Sequence, residues 1–318
     1  MSERWLVTGA LGCVGAWTIK ALLDDREHVV AFDLGDDLHR LRLAVDEDAL
    51  PRVELVQGDI AELGALERVL DEREITRVVH LAALQVPFCR ADPVRGASVN
   101  VVGTVNVFEA VQRRRERIPG VVWASTAAVY ARDDPSPAPE RGGCRPETHY
   151  GVYKLANEGT ARVYWLDGGV PSIGIRPYVV YGPGRDQGLT STPTQAMAAA
   201  ARGEGYEISF GGVAQYDLAE DAGRAFVQAA RALGDGAGGR VGAGVFNLPG
   251  AVASMAEVAR AIEAAAPEVA GRIAWRDDPL PFPPELETGG LEAAIGPVPR
   301  TPLVEGVRRT IEHFRAHA

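Results

Sequence analysis

The stretch "VTGALGCVG", residues 7–15, joins an apolar run to an amphipathic one and places a glycine at every third position. That spacing leaves few folds open. Gly9 lets the chain turn tightly, Gly12 lets backbone approach a ligand, and Gly15 lets the following helix lie against the preceding strand. Such a turn aims the unpaired N–H groups of a helix N-terminus outward, which suits a diphosphate. Leu11, Cys13 and Val14 supply the remaining peptides of the loop and join the same candidate site. A glycine-rich turn recurs for packing reasons alone, so its context matters. Asp33 ends the next apolar run, where a carboxylate can accept both hydroxyls of an adenosine ribose.

The turn opens a regular series. Apolar runs at 4–9, 28–34, 53–59, 77–83, 120–126 and 171–177 alternate with amphipathic stretches at 14–25, 62–73, 98–115 and 151–167. Such β-α alternation predicts an α/β fold built on a doubly wound parallel sheet of the Rossmann type. Past Pro177 the rhythm loosens into Gly- and Pro-rich connections at 182–193, 234–244 and 277–302. These predict a smaller α+β C-terminal substrate domain over 177–318, after a dinucleotide-binding domain over 1–176. Part of 216–248, including "GVFNL", is expected to return to the first domain. The C-terminus reads as an amphipathic helix with Leu303, Val307, Ile311 and Phe314 on one face.

Composition narrows the function. The 318 residues are 46% hydrophobic and 24% charged with a net charge of −10, a globular balance that works against binding a phosphate backbone. Arg113, Arg114 and Arg115 read as a solvated helix face, so no nucleic-acid partner is expected. No apolar run reaches the ~18 residues that span a bilayer, and a strand begins where a signal peptide would stand, so the expectation is a cytoplasmic protein without a membrane partner. Cys13, Cys89 and Cys144 are odd in number and widely spaced, and the six histidines show no ligand spacing, so neither a disulfide framework nor a metal site is expected.

A carboxylate at Asp33 repels a 2′-phosphate, which favours NAD over NADP. Arg40 and Arg42 lie downstream and read as surface residues of a charged segment. Asp59 and Ile60, after the third strand, suit the adenine amino group and ring, although Asp59 serves equally well as the cap of the next helix. In "HYGVYK", residues 149–154, Tyr150 and Lys154 stand four apart and share a helix face, whereas Tyr153 points elsewhere.

Taken in order, "TGALGCVG", "HLAA", "NVVGTVN", "STAAVY", "YGVYK" and "RPYVVYGPG" resemble the extended short-chain dehydrogenase/reductase family, the NAD-dependent sugar epimerase/dehydratase type, over most of the chain. The resemblance implies Tyr150 as acid-base residue, Lys154 as its partner on the nicotinamide ribose, and Thr126 as the hydroxyl that aligns substrate. A phenol titrates near 10, so acting at neutral pH demands a fall of about three units, roughly 4 kcal/mol, which Lys154 and an oxidised nicotinamide can supply. Ser125 next door reads as structural, because strand alternation turns it the other way. The resemblance also implies Asn100 as a structural and cofactor-side residue, and Ala82, Ala83 and Pro177 as the floor of the nicotinamide and ribose pocket, with Leu81 a further cofactor-binding candidate, although buried packing explains the alanines equally well.

Departures from the family pattern bear on substrate. Ala127 and Ala128 follow Thr126 where relatives that dehydrate carry an acid, which disfavours dehydration. Val179 stands where nucleotide-sugar epimerases place Asn, and Ala214 where they place Arg, both diphosphate donors. A buried diphosphate without donors costs several kcal/mol. Arg176, Arg185 or Arg276 can substitute, although Arg185 and Arg276 equally suit the carboxylate of a small sugar acid. Gln85, Thr126, Val179 and Arg185 are the candidate substrate positions. The expected activity is hydride transfer to NAD from a secondary alcohol of a small carbohydrate-like substrate. The alternatives are a UDP-hexose 4-epimerase and a catalytically silent NAD-sensing module. Along 151–167, Val152, Leu155, Gly159, Val163 and Leu166 line one side, which with helix 98–115 implies a homodimer through four helices.

Overall fold

The computed structural model describes residues 3–317. Twelve strands run in chain order: β1 Arg4–Thr8, β2 His28–Asp33, β3 Val53–Gln57, β4 Arg77–His80, β5 Val121–Ala124, β6 Ser172–Arg176, β7 Val179–Tyr181, β8 Tyr206–Ile208, β9 Val213–Leu218, β10 Ala243–Asn247, β11 Ala251–Ser254 and β12 Ile273–Trp275. Seven of them form one parallel sheet in the order β10-β6-β5-β4-β1-β2-β3. The order reverses between β1 and β4, and a cleft opens beyond the carboxyl ends of strands at such a switch point.

Strand alternation divides the sheet between two cores. Trp5 and Val7 of β1 pack with Val29 and Ala31 of β2 on one face, under helices Cys13–Asp24 and Ala219–Ala232. Leu6, Val30 and Phe32 face the other way, under helices Leu63–Glu72 and Gly103–Gln112. Helix Ala219–Ala232 lies directly on helix Cys13–Asp24. A Cβ on Gly223 would stand 2.5 Å from the carbonyl carbon of Trp17, so backbone meets backbone there. Together with β10, this helix puts much of 216–248 into the layers of the large sheet.

A third core lies outside the sheet, around Met197, Ile208, Phe210, Tyr216, Val258 and Ile262. It gathers a three-stranded sheet in the order β11-β9-β7, a two-stranded sheet of β12 and β8, and helices Thr192–Ala201, Met255–Ala265 and Leu303–Ala316. Val307 and Ile311 of the last helix are buried there, with Leu303 and Phe314 packed at its edge. No helix among the described residues is long and apolar enough to cross a membrane.

The predicted crossover at 98–115 begins as a π turn, Ser98–Val102, before becoming α-helical at Gly103. Asn100 lies within this turn; its side-chain oxygen accepts from the Leu84 N–H (2.8 Å) and its amide donates to the Leu84 carbonyl (2.9 Å). Single π turns within helices are frequent at functional sites.

Candidate active site

A cavity of about 500 Å³ opens at the switch point. Its floor at one end is the glycine loop. Gly9 has φ +66, and a Cβ there would stand 2.5 Å from the Ala82 nitrogen, so only glycine brings the β1 and β4 ends together. A Cβ on Gly15 would overlap the Gly9 carbonyl oxygen and reach 2.8 Å from that of Ala10, whereas one on Gly12 would meet only Gly9 O at 3.2 Å. Gly9 and Gly15 thus hold the turn together, and Gly12 leaves space in front of it. No side chain caps the helix that starts at Cys13. Burial pushes the Cys13 thiol up to about 11, despite the lowering charges of Arg185 and Arg40, so the loop carries no thiolate.

Asp33 lines the same end of the cavity. Its carboxylate accepts from the N–H groups of Leu11 (2.9 Å) and Gly35 (3.2 Å), which ties β2 to the glycine loop. Arg40, expected at the surface, lines the cavity instead; its side chain is only 18% exposed and pairs with Asp186 at 2.9 Å. Arg42 is exposed beside Glu47 at 3.4 Å. Asp59 does not cap helix Leu63–Glu72, whose N-cap is Glu62, but accepts from Ala61 N (2.8 Å) in the turn before it. Ile60 is buried against Gly103, and both Asp59 and Ile60 line the cavity.

The other end gathers Thr126, Tyr150 and Lys154. Thr148 caps helix His149–Gly168 through the Gly151 N–H (3.0 Å), which sets Tyr150 in the first turn and Lys154 one turn later. Thr126, Tyr150, Lys154, Leu81, Ala82, Ala83, Gln85 and Pro177 share the cavity wall. Tyr153 does not join them, since its hydroxyl donates to the Pro93 carbonyl at 2.9 Å. The Lys154 ammonium donates to the Ala124 carbonyl (2.8 Å) and lies 5.8 Å from the centre of the Tyr150 ring. Burial lowers its amine to about 8. Burial also pushes the Tyr150 phenol above its ordinary value, and the groups pulling it back are Thr126 and then Arg185, not Lys154 as the sequence suggests. Ser125 also lines the cavity, but its hydroxyl donates to Glu158 at 2.6 Å.

Arg185 is the residue that the sequence could only nominate. It reaches Gln85 (3.4 Å) and Thr190 (3.1 Å), keeps a buried Nε without a partner, and has no ion pair among the described residues. Arg176 is not available to a ligand, because it forms a buried pair with Glu158 (2.6 Å) and donates to the Tyr130 hydroxyl (2.6 Å). Arg276 lies outside the cavity, 62% exposed at its side chain and 3.6 Å from Glu207. Val179 and Ala214 are buried in the third core and do not line the cavity, and Asn100 supports it from beneath. Tyr178 and Val180, the neighbours of Val179, line it instead, joined by Phe88, Leu189 and Phe282. The alternation of β7 carried a signal for Val180; Tyr178 precedes the strand, and Phe282 sits in an irregular segment with no local signal.

A helix N-terminus without a side-chain cap, a carboxylate at the end of β2 and a cavity continuous with a Tyr-Thr-Lys cluster fit a dinucleotide. The model for the NAD dependent epimerase/dehydratase family matches residues 5–248. A UDP-glucose 4-epimerase of Mycolicibacterium smegmatis is 30% identical over 98% of both chains. UDP-glucuronate 4-epimerase 2 of Arabidopsis thaliana is 32% identical over 56% of this chain, a match that spans only 42% of the plant protein. In structure, the UDP-glucose 4-epimerase of Thermus thermophilus, solved in complex with NAD, superposes with a TM-score of 0.79 at 25% identity, covering 99% of this chain and all of that one. The chain therefore belongs to the NAD-dependent epimerase/dehydratase family, with NAD as its cofactor.

Proposed function

We propose that the protein oxidises a secondary alcohol of a small carbohydrate-like substrate, a sugar or sugar acid, and passes the hydride to NAD. The observation carrying this reading is Arg185, a guanidinium without an acidic partner among the described residues, in one cavity with Thr126, Tyr150 and Lys154. Gly9, Gly12 and Gly15 would hold the diphosphate, with Leu11, Cys13 and Val14 supplying peptides around it. Asp33 would hold the adenosine ribose, and Asp59 with Ile60 the adenine. Leu81, Ala82, Ala83 and Pro177 would seat the nicotinamide, and Lys154 its ribose. When bound, NAD takes up the hydride, and its oxidised ring adds a positive charge beside the phenol.

The protein's own residues manage the proton. Thr126 hydrogen-bonds the substrate hydroxyl and aligns it, and Tyr150 takes its proton. In this reading the added cationic charge brings the buried phenol down, while Lys154, near neutrality at about 8, exchanges the proton onward. Arg185, with Gln85 beside it, takes a substrate carboxylate as a charge-assisted pair. An intact Tyr-Thr-Lys cluster speaks against a silent NAD-sensing module.

The second reading, a UDP-hexose 4-epimerase, is supported by the Mycolicibacterium relative that aligns end to end. Against it, Val179 and Ala214 offer no donor to a diphosphate and face the third core. Incubation with sugars, sugar acids and UDP-hexoses, followed by NADH absorbance and product analysis, separates the two. NADH accumulating with a substrate lacking a nucleotide supports the dehydrogenase; interconversion of UDP-hexoses without net NADH overturns it in favour of the epimerase.

A homodimer in the cytoplasm completes the proposal. Val152, Val163 and Leu166 are exposed at 49%, 53% and 65% along helix His149–Gly168, with Val94 and Val102 exposed beside them. Leu155, expected in that stripe, packs on the third core instead, and Ala156 takes its place. Light scattering at micromolar concentration is expected to give twice the mass of the chain.

A further inference from the structure

Leu11 is held at both ends of its peptide. Its N–H donates to Asp33 (2.9 Å), and its carbonyl accepts from Arg40 (3.5 Å). A guanidinium therefore stands one peptide away from the carboxylate that selects the adenosine ribose. Its stem passes close to Gly184, where a Cβ would lie 3.5 Å from Arg40 Cβ. In that position it is suited to a 2′-phosphate, because arginine offers a planar fork of donors to phosphate oxygens. The charge is spent elsewhere. Asp186 takes both Nε and Nη2 of Arg40 at 2.9 Å, and its second oxygen takes His39 Nε2 at 2.8 Å. Asp37, which lines the same end of the cavity, engages His39 Nδ1 at 2.8 Å.

We propose that Asp186 is a specificity-determining residue: by engaging Arg40 it denies a 2′-phosphate a guanidinium placed to bind it, and so holds the site to NAD. The inference rests on Asp33 as the adenosine-ribose acceptor in the proposed function. The carboxylate of Asp186 is not needed to fold its loop, which is anchored by Trp17 Nε1 donating to Pro183 O (2.9 Å), by Arg185 on Thr190 (3.1 Å) and by Gln195 on the Asp186 carbonyl (3.2 Å). Asp33 repels the phosphate, and Asp186 removes its partner.

The test is an equilibrium titration of the full-length apoprotein with NAD and with NADP, by calorimetry, in Asp186→Asn, Asp186→Ala, Arg40→Ala and the double variant Asp186→Asn/Arg40→Ala. Freeing Arg40 is expected to tighten NADP about tenfold, the worth of one charge-assisted contact, with NAD held within about threefold. In the Arg40→Ala background the gain is expected to vanish. Unchanged NADP affinity in both Asp186 variants, a gain that survives without Arg40, or an equal loss of both dinucleotides overturns the proposal. Asp33→Asn is titrated alongside. If it leaves the NAD preference intact, the ribose placement falls, whereas the coupling between Asp186 and Arg40 is judged by the double variant alone.

Discussion

At the glycine-loop end of the cavity three glycines within seven residues bring backbone to the wall, and a neighbouring carboxylate locks the turn. At the Tyr150 end Gln85, Arg185, Thr190 and Phe282 reach the wall from segments scattered along the chain. Backbone sites tolerate almost no added atom, because their neighbours are other backbones that cannot rotate away. Side-chain sites tolerate substitution in the fold and answer in function. In the proposed function, one cavity thus holds a fixed cofactor half and an adjustable substrate half.

The largest effect expected on this contrast is at Tyr150. Tyr150→Phe should lower turnover by ~10²–10⁴ with NAD binding retained, while Tyr153→Phe, which loses only a bond to Pro93, should leave turnover nearly unchanged. Steady-state kinetics on the two variants decide it; a reversed result would remove Tyr150 from the chemistry.

Next come the glycines. Gly15→Ala should cost about 2–4 kcal/mol of stability in denaturant unfolding, since its Cβ meets two carbonyl oxygens, and Gly12→Ala should cost less than half of that. If Gly12→Ala proved the more destabilising, the division between a packed turn and an open approach would be wrong. Its cost should instead fall on NAD affinity.

The substrate half answers differently. Arg185→Met should raise the KM for a sugar acid by ~10–100-fold, with neutral sugars and NAD affinity little changed and the melting temperature preserved. An equal loss for neutral sugars would make Arg185 a scaffold residue. The smallest effect links the two halves through Lys154. Its folded amine titrates at about 8, below its unfolded value, so the unfolded chain binds more protons between about pH 8 and 10.5. Stability from this group therefore rises with pH through that window, and its burial penalty is fully present below it. Lys154→Met should accordingly stabilise the apoprotein near pH 7, by on the order of 2 kcal/mol, with the advantage fading toward pH 10. Urea unfolding at several pH values measures this directly.

Much of the cofactor half was legible because its signals are local. Strand periodicity, the glycine spacing, Asp33 and the four-residue step from Tyr150 to Lys154 need no knowledge of distant chain. The substrate half was legible only in part. Val179 was a candidate by motif position, yet in β7 its side chain enters the third core, while Val180 lines the cavity and Tyr178, just before the strand, reaches both. Arg176, Arg185 and Arg276 looked alike in sequence, and their partners separate them: Glu158 consumes the first, and the third is exposed near Glu207.

The sequence by itself determined the doubly wound sheet, the dinucleotide turn and the Tyr-Lys pair, because hydrophobic period and steric allowance act over a few residues. Only the tertiary structure decided what each charge does. Arg40 meets Asp186 across 146 residues of chain, and Arg185 remains unpaired among the described residues because no acid folds against it. Charge pairing depends on distances of a few ångströms in three dimensions, and a linear pattern does not encode them.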